Sequence, residues 1–502
     1  MKKLLIILLI ATFIGGGCGK KFLNINQNPN QPTNVGLNVI LSAAFQGTAN
    51  DLAVDFPNVT RWDAYWSRSG NYVPDVNTEQ YSIPNSYTDG EWTRLYLTLS
   101  AYNNMEVQGK AQKLQFYIAV AKLMKALHFS TLVDAFNDAP YANAFDPLNS
   151  VHPTYSKGPD IYADLFKQID SAISYFDIAK NTITPQDATF DGVYGTLYTS
   201  TDASPETDAW IRFANTLELK LLIHESQISG QAGFITSQLA KIAANNRGFI
   251  GAGQGAVVNP GYSNSTNKIN PFYGVFYLVT APTTNVAYFR ANTYAVNFYS
   301  ANHDPRLGLF YGPVGSTTTY AGNYDGDPAA VTNSNSSPIG PGVLKGPTQG
   351  QLILSDFESL FLQAEAAQRG WLTTGTAQSF YESAITQSFV YLEPSTGTPT
   401  ADAAAYYGQA LPNVGWAASS NKLTAILTQK WAALNGINWF EAYTDFRRTG
   451  IPALPISAST IHVVPQIPVR FLFPQVELNT NGSNVPALPV NAQFTNKIFW
   501  NQ

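Results

Sequence analysis

The sequence predicts a mainly α-helical protein, built from tetratricopeptide-like helical hairpins and carrying a large, irregular, loop-rich face. Three observations lead to this prediction. Apolar residues recur at helical spacing through most of the chain. Residues 355–389 and 420–448 each have the pattern of two helices separated by a glycine, about the length of one tetratricopeptide repeat. Residues 247–350 are instead rich in Gly, Asn, Ser, Thr, Tyr and Pro, which is typical of loops with short strands.

The N-terminus predicts export followed by lipid attachment. Two lysines precede an apolar run, 4–14, that is shorter than the roughly 20 residues of a membrane-spanning helix. Three glycines then lead into Cys18, the only cysteine of the chain, so we interpret residues 1–17 as a signal peptide. A cysteine at this place is typical of a bacterial lipoprotein, with Cys18 as the acylated N-terminus, although Gly15 stands where such sites usually carry Leu.

After the signal peptide, residues 18–36 are rich in Asn, Gln and Pro and are interpreted as a tether between lipid and folded body. We predict one domain over residues 37–502, with the loop-rich stretch at about 247–350 as an insertion. The proline-rich tail from Pro465 onward is predicted to be extended and to lie over the helices. In its first half, the domain shows helical periodicity from near Leu37 and over 91–129, 161–176 and 210–225.

The clearest single unit is the predicted hairpin at 355–389. Ser355 and Glu358 have the spacing of a capping box, in which each side chain bonds the backbone of the other residue. Gly370 is placed to take the left-handed conformation that ends a helix. Ala364 and Ala384 are small residues at facing positions, so we expect the two helices to approach closely.

Composition excludes several classes of protein. Apolar residues make up 45% of the chain and charged residues only 13%, which suits a large core. The formal net charge is −5, and loss of the two lysines with the signal peptide makes it more negative, so we predict no nucleic-acid partner. A single cysteine excludes a disulfide framework. With 29 Phe, 27 Tyr and 9 Trp, the chain has more aromatics than a helical core needs, and some are expected on a contact surface.

Residues that would carry catalysis are not found in a recognisable pattern. The pairs Asp134 with Asp138 and Asp325 with Asp327 are nominally available for glycoside hydrolysis, but are better interpreted as solvated loop carboxylates. The five histidines are scattered, without the spacing of a zinc site. We therefore predict no catalytic residues and no cofactor.

A metal site is not predicted either, but one loop is kept as a weak candidate. Asn323, Asp325 and Asp327 offer oxygens at alternate positions, which calcium accepts, yet the loop lacks the terminal glutamate of a complete calcium loop. Arg447 and Arg448 resemble an anion site, but with acidic residues on the same helix an ion-pair network is the preferred interpretation.

Short motifs spread over the mature chain resemble those of the SusD/RagB-like outer-membrane lipoproteins of Bacteroidetes, in the branch that ends in a Lys-aromatic-Trp tail. Each motif is short, and the resemblance rests on their order and spacing. They are Phe22-Leu-Asn24, Asp138-Ala-Pro-Tyr141, Trp210-Ile-Arg-Phe-Ala-Asn-Thr-Leu217, Asp304-Pro-Arg-Leu307, Ala364-Glu-Ala-Ala-Gln-Arg-Gly-Trp371, Trp439-Phe-Glu-Ala-Tyr-Thr-Asp-Phe-Arg-Arg448, Pro468-Val-Arg470, Pro474-Gln-Val-Glu477 and Lys497-Ile-Phe-Trp500.

The resemblance implies a helical body with a loop-built ligand face. It also implies a lipid-anchored protein of the outer membrane, on the cell surface, that captures oligosaccharides, or in some members peptides. Such a protein caps a SusC-like TonB-dependent transporter and delivers the nutrient without chemistry. Two alternatives stay open: an exported glycan-active hydrolase, and a structural transporter lid with no ligand of its own.

Candidate binding residues come from two stretches, 55–89 and 270–300, where aromatics mix with amides and arginines. Sugars present apolar faces and hydroxyl edges, so a receptor stacks aromatic rings on the former and points amides or guanidinium groups at the latter. Trp62 is expected in the core, while core packing and exposure are both left open for Trp66. The candidates are Trp66, Arg68, Asn71, Tyr72, Tyr81, Tyr277, Tyr288 and Arg290.

Overall fold

The computed structural model describes residues 35–199, 202–393 and 397–502, and this part of the chain is mainly helical, as predicted. The proposed signal peptide, Cys18 and nearly all of the tether lie outside the described residues.

The helices follow one another along the whole described chain. They are α1 Leu37–Val54, α2 Val59–Trp62, α3 Val76–Glu79, α4 Asp89–Gln112, α5 Gln115–Phe136, α6 Gly158–Ala179, α7 Pro185–Phe190, α8 Ser204–His224, α9 Ala232–Asn245, α10 Pro271–Phe276, α11 Asn285–Tyr288, α12 Thr293–Ala301, α13 Leu307–Phe310, α14 Asp356–Gln368, α15 Ala377–Leu392, α16 Pro399–Tyr407, α17 Lys422–Ala433, α18 Trp439–Thr449, α19 Gln475–Asn481 and α20 Ala492–Thr495.

The strands are short and form three antiparallel pairs, β1 with β5, β2 with β3 and β4 with β6. Their bounds are β1 Trp66–Arg68, β2 Ala139–Pro140, β3 Tyr155–Ser156, β4 Ala256–Val258, β5 Phe289–Ala291 and β6 Gln351–Leu354.

The helical block predicted over 91–129 is a hairpin of two helices, α4 and α5. Lys113 takes the left-handed conformation, with φ of 59°, and Leu114 is extended, so the chain reverses between the helices. Residues 110–114 contain neither proline nor glycine, and a lysine takes the left-handed conformation, so no usual end signal marks this turn in the sequence. Helix α5 is long and apolar enough to cross a membrane, but 89% of its apolar window is buried, so here it is a core helix.

The hairpin predicted at 355–389 is confirmed as α14 and α15. Ser355 caps α14 by accepting a hydrogen bond from the Glu358 amide at 3.1 Å, and Gly370 has φ of 76° after the helix end. The Glu358 side chain does not complete the capping box. It contacts the Lys220 ammonium at 3.1 Å and accepts from the Asn438 amide at 2.8 Å, tying α14 to α8 and α18.

The loop-rich stretch holds more helix than its composition predicts. Helices α10 to α13 lie inside it, and α9 precedes it. Two of its asparagines are helix caps: Asn270 accepts from the Tyr273 amide, and Asn292 accepts from the Tyr294 amide. Asparagine is common in both loops and N-caps, so composition alone did not separate the two.

One continuous core joins the helices from Leu37 to Trp500. In it, the Trp210 ring is stacked between Phe45, at 5.8 Å, and Phe176, at 5.9 Å. The C-terminal tail packs into the same core, since Trp500 is fully buried and its indole N–H donates to Asp134 at 2.8 Å. The tail therefore holds together helices that are distant in sequence.

The predicted ion-pair network on the last long helix, α18, is also confirmed. Lys430 contacts Glu441 at 2.7 Å and Asp445 at 2.8 Å, and Arg448 contacts Asp445 and Glu365 at 2.7 Å each. All five side chains are buried. These charges link α14, α17 and α18, while Arg447 donates to the backbone carbonyls of Asp134 and Val469, so both arginines serve the architecture.

A buried carboxyl outside this network predicts a pH-dependent stability. Glu218 on α8 is fully buried, and neither oxygen has a hydrogen-bond partner among the described residues. Burial raises its pKa from 4.5 to about 8. Between these values the folded protein holds a proton that the unfolded chain releases, so stability falls as pH rises from about 5 to 8. The full shift corresponds to about 5 kcal/mol at most.

We expect Glu218→Gln to gain stability relative to the wild type as pH rises through this window, because glutamine does not titrate. Urea unfolding at pH 5 and pH 8 measures the difference, and Asp160→Asn, at an exposed carboxylate, is the matched control. An equal change in stability for wild type and Glu218→Gln between the two pH values would show that Glu218 does not titrate there.

Candidate ligand-binding surface

The pairing of β1 with β5 brings the two candidate stretches together. Trp66 lies opposite Ala291, Ser67 opposite Arg290 and Arg68 opposite Phe289. The loop that follows β1 therefore lies beside α11, which directly precedes β5 in the chain. The two aromatic-rich stretches form one surface.

Two half-buried tyrosines, Tyr72 and Tyr288, meet on this surface. Their rings are in edge-to-face contact, with centroids 5.1 Å apart. The Tyr72 hydroxyl lies 3.4 Å from the Thr284 carbonyl oxygen, and the Tyr288 hydroxyl accepts from the Arg61 guanidinium at 3.2 Å. Each ring is thus held at its hydroxyl end.

A second pair of tyrosines lies on α10 and just after it. The rings of Tyr273 and Tyr277 are stacked, with centroids 5.0 Å apart and planes 21° from parallel. Tyr277 pairs with Pro282 through the backbone, and the chain then leads to Thr284, beside Tyr72. We call the surface made by Asn71, Tyr72, Tyr273, Tyr277 and Tyr288 the tyrosine surface.

A third segment, 330–333, closes one side of this surface. The Gly70 amide donates to the Val331 carbonyl at 2.9 Å, and the Asn333 amide donates to the Asn71 side chain at 2.7 Å. A Cβ at position 70 would lie 1.9 Å from the Ala330 carbonyl oxygen, so only glycine allows this approach.

A buried cluster of charges supports the tyrosine surface from below. The Arg61 guanidinium contacts Glu79 and Asp325 at 2.6 Å each and Asp75 at 3.0 Å, and also reaches Tyr288. Burial raises the pKa of Asp325 to about 6, against the opposing effect of Arg61. Arg61 therefore joins the segments that carry Tyr72 and Tyr288.

Four of the predicted binding residues are buried, so the prediction that they contact a ligand needs correction. Trp66 is 3% exposed because its ring packs among Phe272, Phe276, Phe289 and Trp439. Tyr81 is 1% exposed and lies against His462, and its hydroxyl accepts from the Ser457 amide. No ring face is left for stacking.

The two predicted arginines position loops. Arg68 pairs with Glu79 at 2.6 Å and donates to the Tyr72 carbonyl. Arg290 donates to the carbonyls of Asn333 and Ser336, at 2.6 and 2.7 Å. Both guanidinium groups hold the segments that form the tyrosine surface. Asn71, Tyr72, Tyr277 and Tyr288 are the predicted residues that reach the surface itself.

The weak metal candidate has its side chains occupied by protein groups. Asp325 binds Arg61, Asn323 bonds the backbone of Arg68 and Val331, and Asp327 caps its own turn. Within the described ranges, no group of three or more acidic, histidine or cysteine side chains is arranged to hold a metal ion. The calcium-loop hypothesis is therefore set aside because its oxygens already have partners.

Some residues of the surface were not predicted from the sequence. Thr284 and the 330–333 segment lie in the loop-rich stretch, where no pattern distinguishes them from other polar residues. Gly70 is the one sequence signal for the 330–333 segment, since a glycine in this place indicates that another backbone segment approaches closely. It does not identify which segment approaches.

Two large clefts lie away from the tyrosine surface. One of about 1010 Å³ lies between α1, α7 and β4, and another of about 650 Å³ lies between α4, α5 and α6. An open surface of rings and amides can bind a flat or extended ligand without enclosing it.

Comparison with known proteins identifies the family. The chain belongs to the SusD-like family, since a family model described as starch-binding and associating with the outer membrane matches residues 29–474. No curated protein matches the chain.

Solved structures share the fold. A SusD-like protein from Bacteroides thetaiotaomicron has a TM-score of 0.71 at 21% identity, covering 93% of this chain and 98% of its own. A chitin-binding SusD homolog from Flavobacterium johnsoniae has a TM-score of 0.72 at 21% identity, and the match covers 92% of this chain and 98% of the homolog. A Bacteroides vulgatus protein, inferred to be an outer-membrane protein in nutrient binding, has a TM-score of 0.73 at 20% identity, covering 93% and 100%.

Proposed function

We propose that this chain is an outer-membrane lipoprotein, anchored through Cys18 at the cell surface, that binds oligosaccharides on the tyrosine surface. It passes them to a SusC-like TonB-dependent transporter and performs no chemistry on them. Membership of a starch-binding, outer-membrane-associated family supports this proposal, as does the likeness to a chitin-binding homolog.

The observation that carries the binding site is the convergence of Tyr72 and Tyr288 from segments distant in sequence. Rings that are only half buried, and fixed by hydrogen bonds at their hydroxyls, can stack on the apolar faces of sugars at little cost in conformational entropy. The neighbouring Asn71 and backbone groups of the 330–333 segment suit sugar hydroxyls.

The experiment uses the soluble mature chain with Cys18→Ser, applied to immobilised chitin, starch and other neutral oligosaccharides and to a peptide library. Bound ligand and new reducing ends are scored together. Retention of a glycan without products supports the proposal. Retained peptides in place of glycans would change the ligand class, new reducing ends would indicate a hydrolase, and no retention of either would favour a transporter lid.

We expect Tyr72→Ala to weaken binding of the retained glycan about five- to thirty-fold, because a stacked ring contributes about 1–2 kcal/mol through area and ring contact. Its stability should change by less than about 1 kcal/mol, since the ring is partly exposed. Titration calorimetry measures the affinity and thermal unfolding the stability.

Tyr72→Phe is the matched control, because it keeps the ring and removes only the long contact to Thr284. It should bind within about two-fold of wild type. If Tyr72→Ala binds as tightly as wild type, the ligand does not stack on this ring and the site assignment fails.

A further inference from the structure

The cleft of about 650 Å³ lies on the helical side of the molecule, between α4, α5 and α6, with residues 141–146 at one end. Its volume falls within the roughly 300–1,000 Å³ of small-molecule sites. Its lining includes the side chains of Asn103, Lys110, Lys122, Lys125, Asn143 and Gln168. None of these residues belongs to the tyrosine surface.

Three lysines of this cleft surround a single carboxylate. The Lys110, Lys122 and Lys125 ammonium groups lie 2.6, 3.3 and 2.5 Å from the oxygens of Glu106. Glu106 is buried, and chiefly these lysines, acting against burial, lower its pKa to about 2. One negative charge thus faces three positive ones, in a chain whose overall charge is negative.

The lysines also offer more hydrogen-bond donors than the protein uses. Each ammonium has three N–H bonds. Besides Glu106, their acceptors among the described residues are Gln168, 2.7 Å from Lys122, and Asn103, 3.2 Å from Lys125. Several donors therefore remain for a ligand, and they lie where the cleft is lined by amides.

The other carboxylates of the cleft are occupied. Asp164 accepts from the Tyr141 hydroxyl at 2.7 Å and from the Gln168 amide at 3.0 Å. Asp146 accepts from Asn149 within its own turn. Neither is within ion-pair distance of the three cleft lysines.

From this geometry we infer that the cleft is a second binding site, for an oligosaccharide that carries a ring carboxylate. The carboxylate of the sugar accepts from the lysine ammonium groups beside Glu106, and the amides of Asn103, Asn143 and Gln168 meet its hydroxyls. Tyr141 and Phe145 form the aromatic end of the cleft. The site acts independently of the tyrosine surface and goes beyond the proposed function.

The test is calorimetric titration of the Cys18→Ser mature chain with trigalacturonate, a trimer of galacturonic acid, and with its neutral methyl ester. Wild type should bind the acid at least ten-fold more tightly than the ester, with an affinity that falls as salt is raised. Lys125→Met should weaken binding of the acid at least ten-fold. Lys110→Met, at a half-exposed side chain, should weaken it about five-fold.

Glu106→Gln gives the most specific readout. It removes the carboxylate that competes for the ammonium groups, so it should tighten binding of the acid at least three-fold, whereas a purely structural role predicts no gain. Lys241→Met, at a half-exposed lysine of α9 outside the cleft, and Tyr72→Ala should leave binding within two-fold.

Equal binding of acid and ester would overturn the inference, as would no binding of the acid at all. Weaker binding of the acid by Glu106→Gln would also overturn it. So would an unchanged affinity of Lys110→Met for the acid. Loss of acid binding in Tyr72→Ala would move the ligand to the tyrosine surface and overturn the second site while leaving the proposed function intact.

Discussion

Trp66→Ala is expected to lower the free energy of unfolding by about 3–5 kcal/mol, the cost typical of removing a buried tryptophan. Its indole ring packs against Phe276 at 5.8 Å, Phe289 at 5.3 Å and Trp439 at 6.1 Å. These contacts join β1, α10 and α18, so the cavity cannot close without moving several elements. Urea unfolding of wild type and variant measures the loss.

Trp66→Phe is the matched control, because it keeps an aromatic ring and should recover more than half of the lost stability. Comparison with Tyr72→Ala separates the two roles: Trp66 affects folding, and Tyr72 affects binding. A Trp66→Ala variant as stable as wild type would show that the ring is exposed in solution, which would return Trp66 to the candidate ligand contacts.

Arg306→Met should lower the free energy of unfolding by a similar amount, about 3–5 kcal/mol, because it leaves the buried Asp304 carboxylate without its partner. Arg306 is fully buried and contacts Asp304 at 2.7 Å. It also donates to Ser388 on α15 at 3.1 Å and to Gln429 on α17 at 3.0 Å. This one side chain fixes the loop-rich stretch to the C-terminal helices, as its place in the Asp304-Pro-Arg-Leu307 motif suggests.

The double variant Asp304→Asn, Arg306→Met tests this reason directly. In the wild type, the backbone amide of residue 306 donates to the Asp304 carboxylate at 3.0 Å. An asparagine at position 304 can accept the same hydrogen bond but carries no charge. We expect the double variant to be at least about 1 kcal/mol more stable than Arg306→Met alone. Strictly additive losses from Asp304→Asn and Arg306→Met would mean that the unpaired charge is not the cause.

Long amphipathic helices were predictable because their apolar periodicity and end signals agree. At α14, Ser355 and Gly370 mark both ends, and the structure has the helix between them. The turn at Lys113 lacks such end signals, because residues 110–114 contain neither proline nor glycine and a lysine takes the left-handed conformation. Helices of four to nine residues in the loop-rich stretch are too short for periodicity to show.

The candidate site was predictable in part. Both aromatic-rich stretches contribute to the tyrosine surface, but a three-residue strand pair joins them, and such a pair has no sequence signal. Trp66 and Tyr72 stand six positions apart, yet one enters the core and the other does not. That difference depends on α10 and α18 covering β1, which is a tertiary effect.

The binding of a glycan on the tyrosine surface is tested most directly by tyrosine nitration, read by peptide mass spectrometry with and without a saturating glycan from the panel. Tyr72, Tyr277 and Tyr288 should be nitrated in the free protein and protected by the ligand. Tyr175, on α6 and away from the surface, should be nitrated equally in both. Unchanged nitration of all three tyrosines while the glycan is bound would contradict the site.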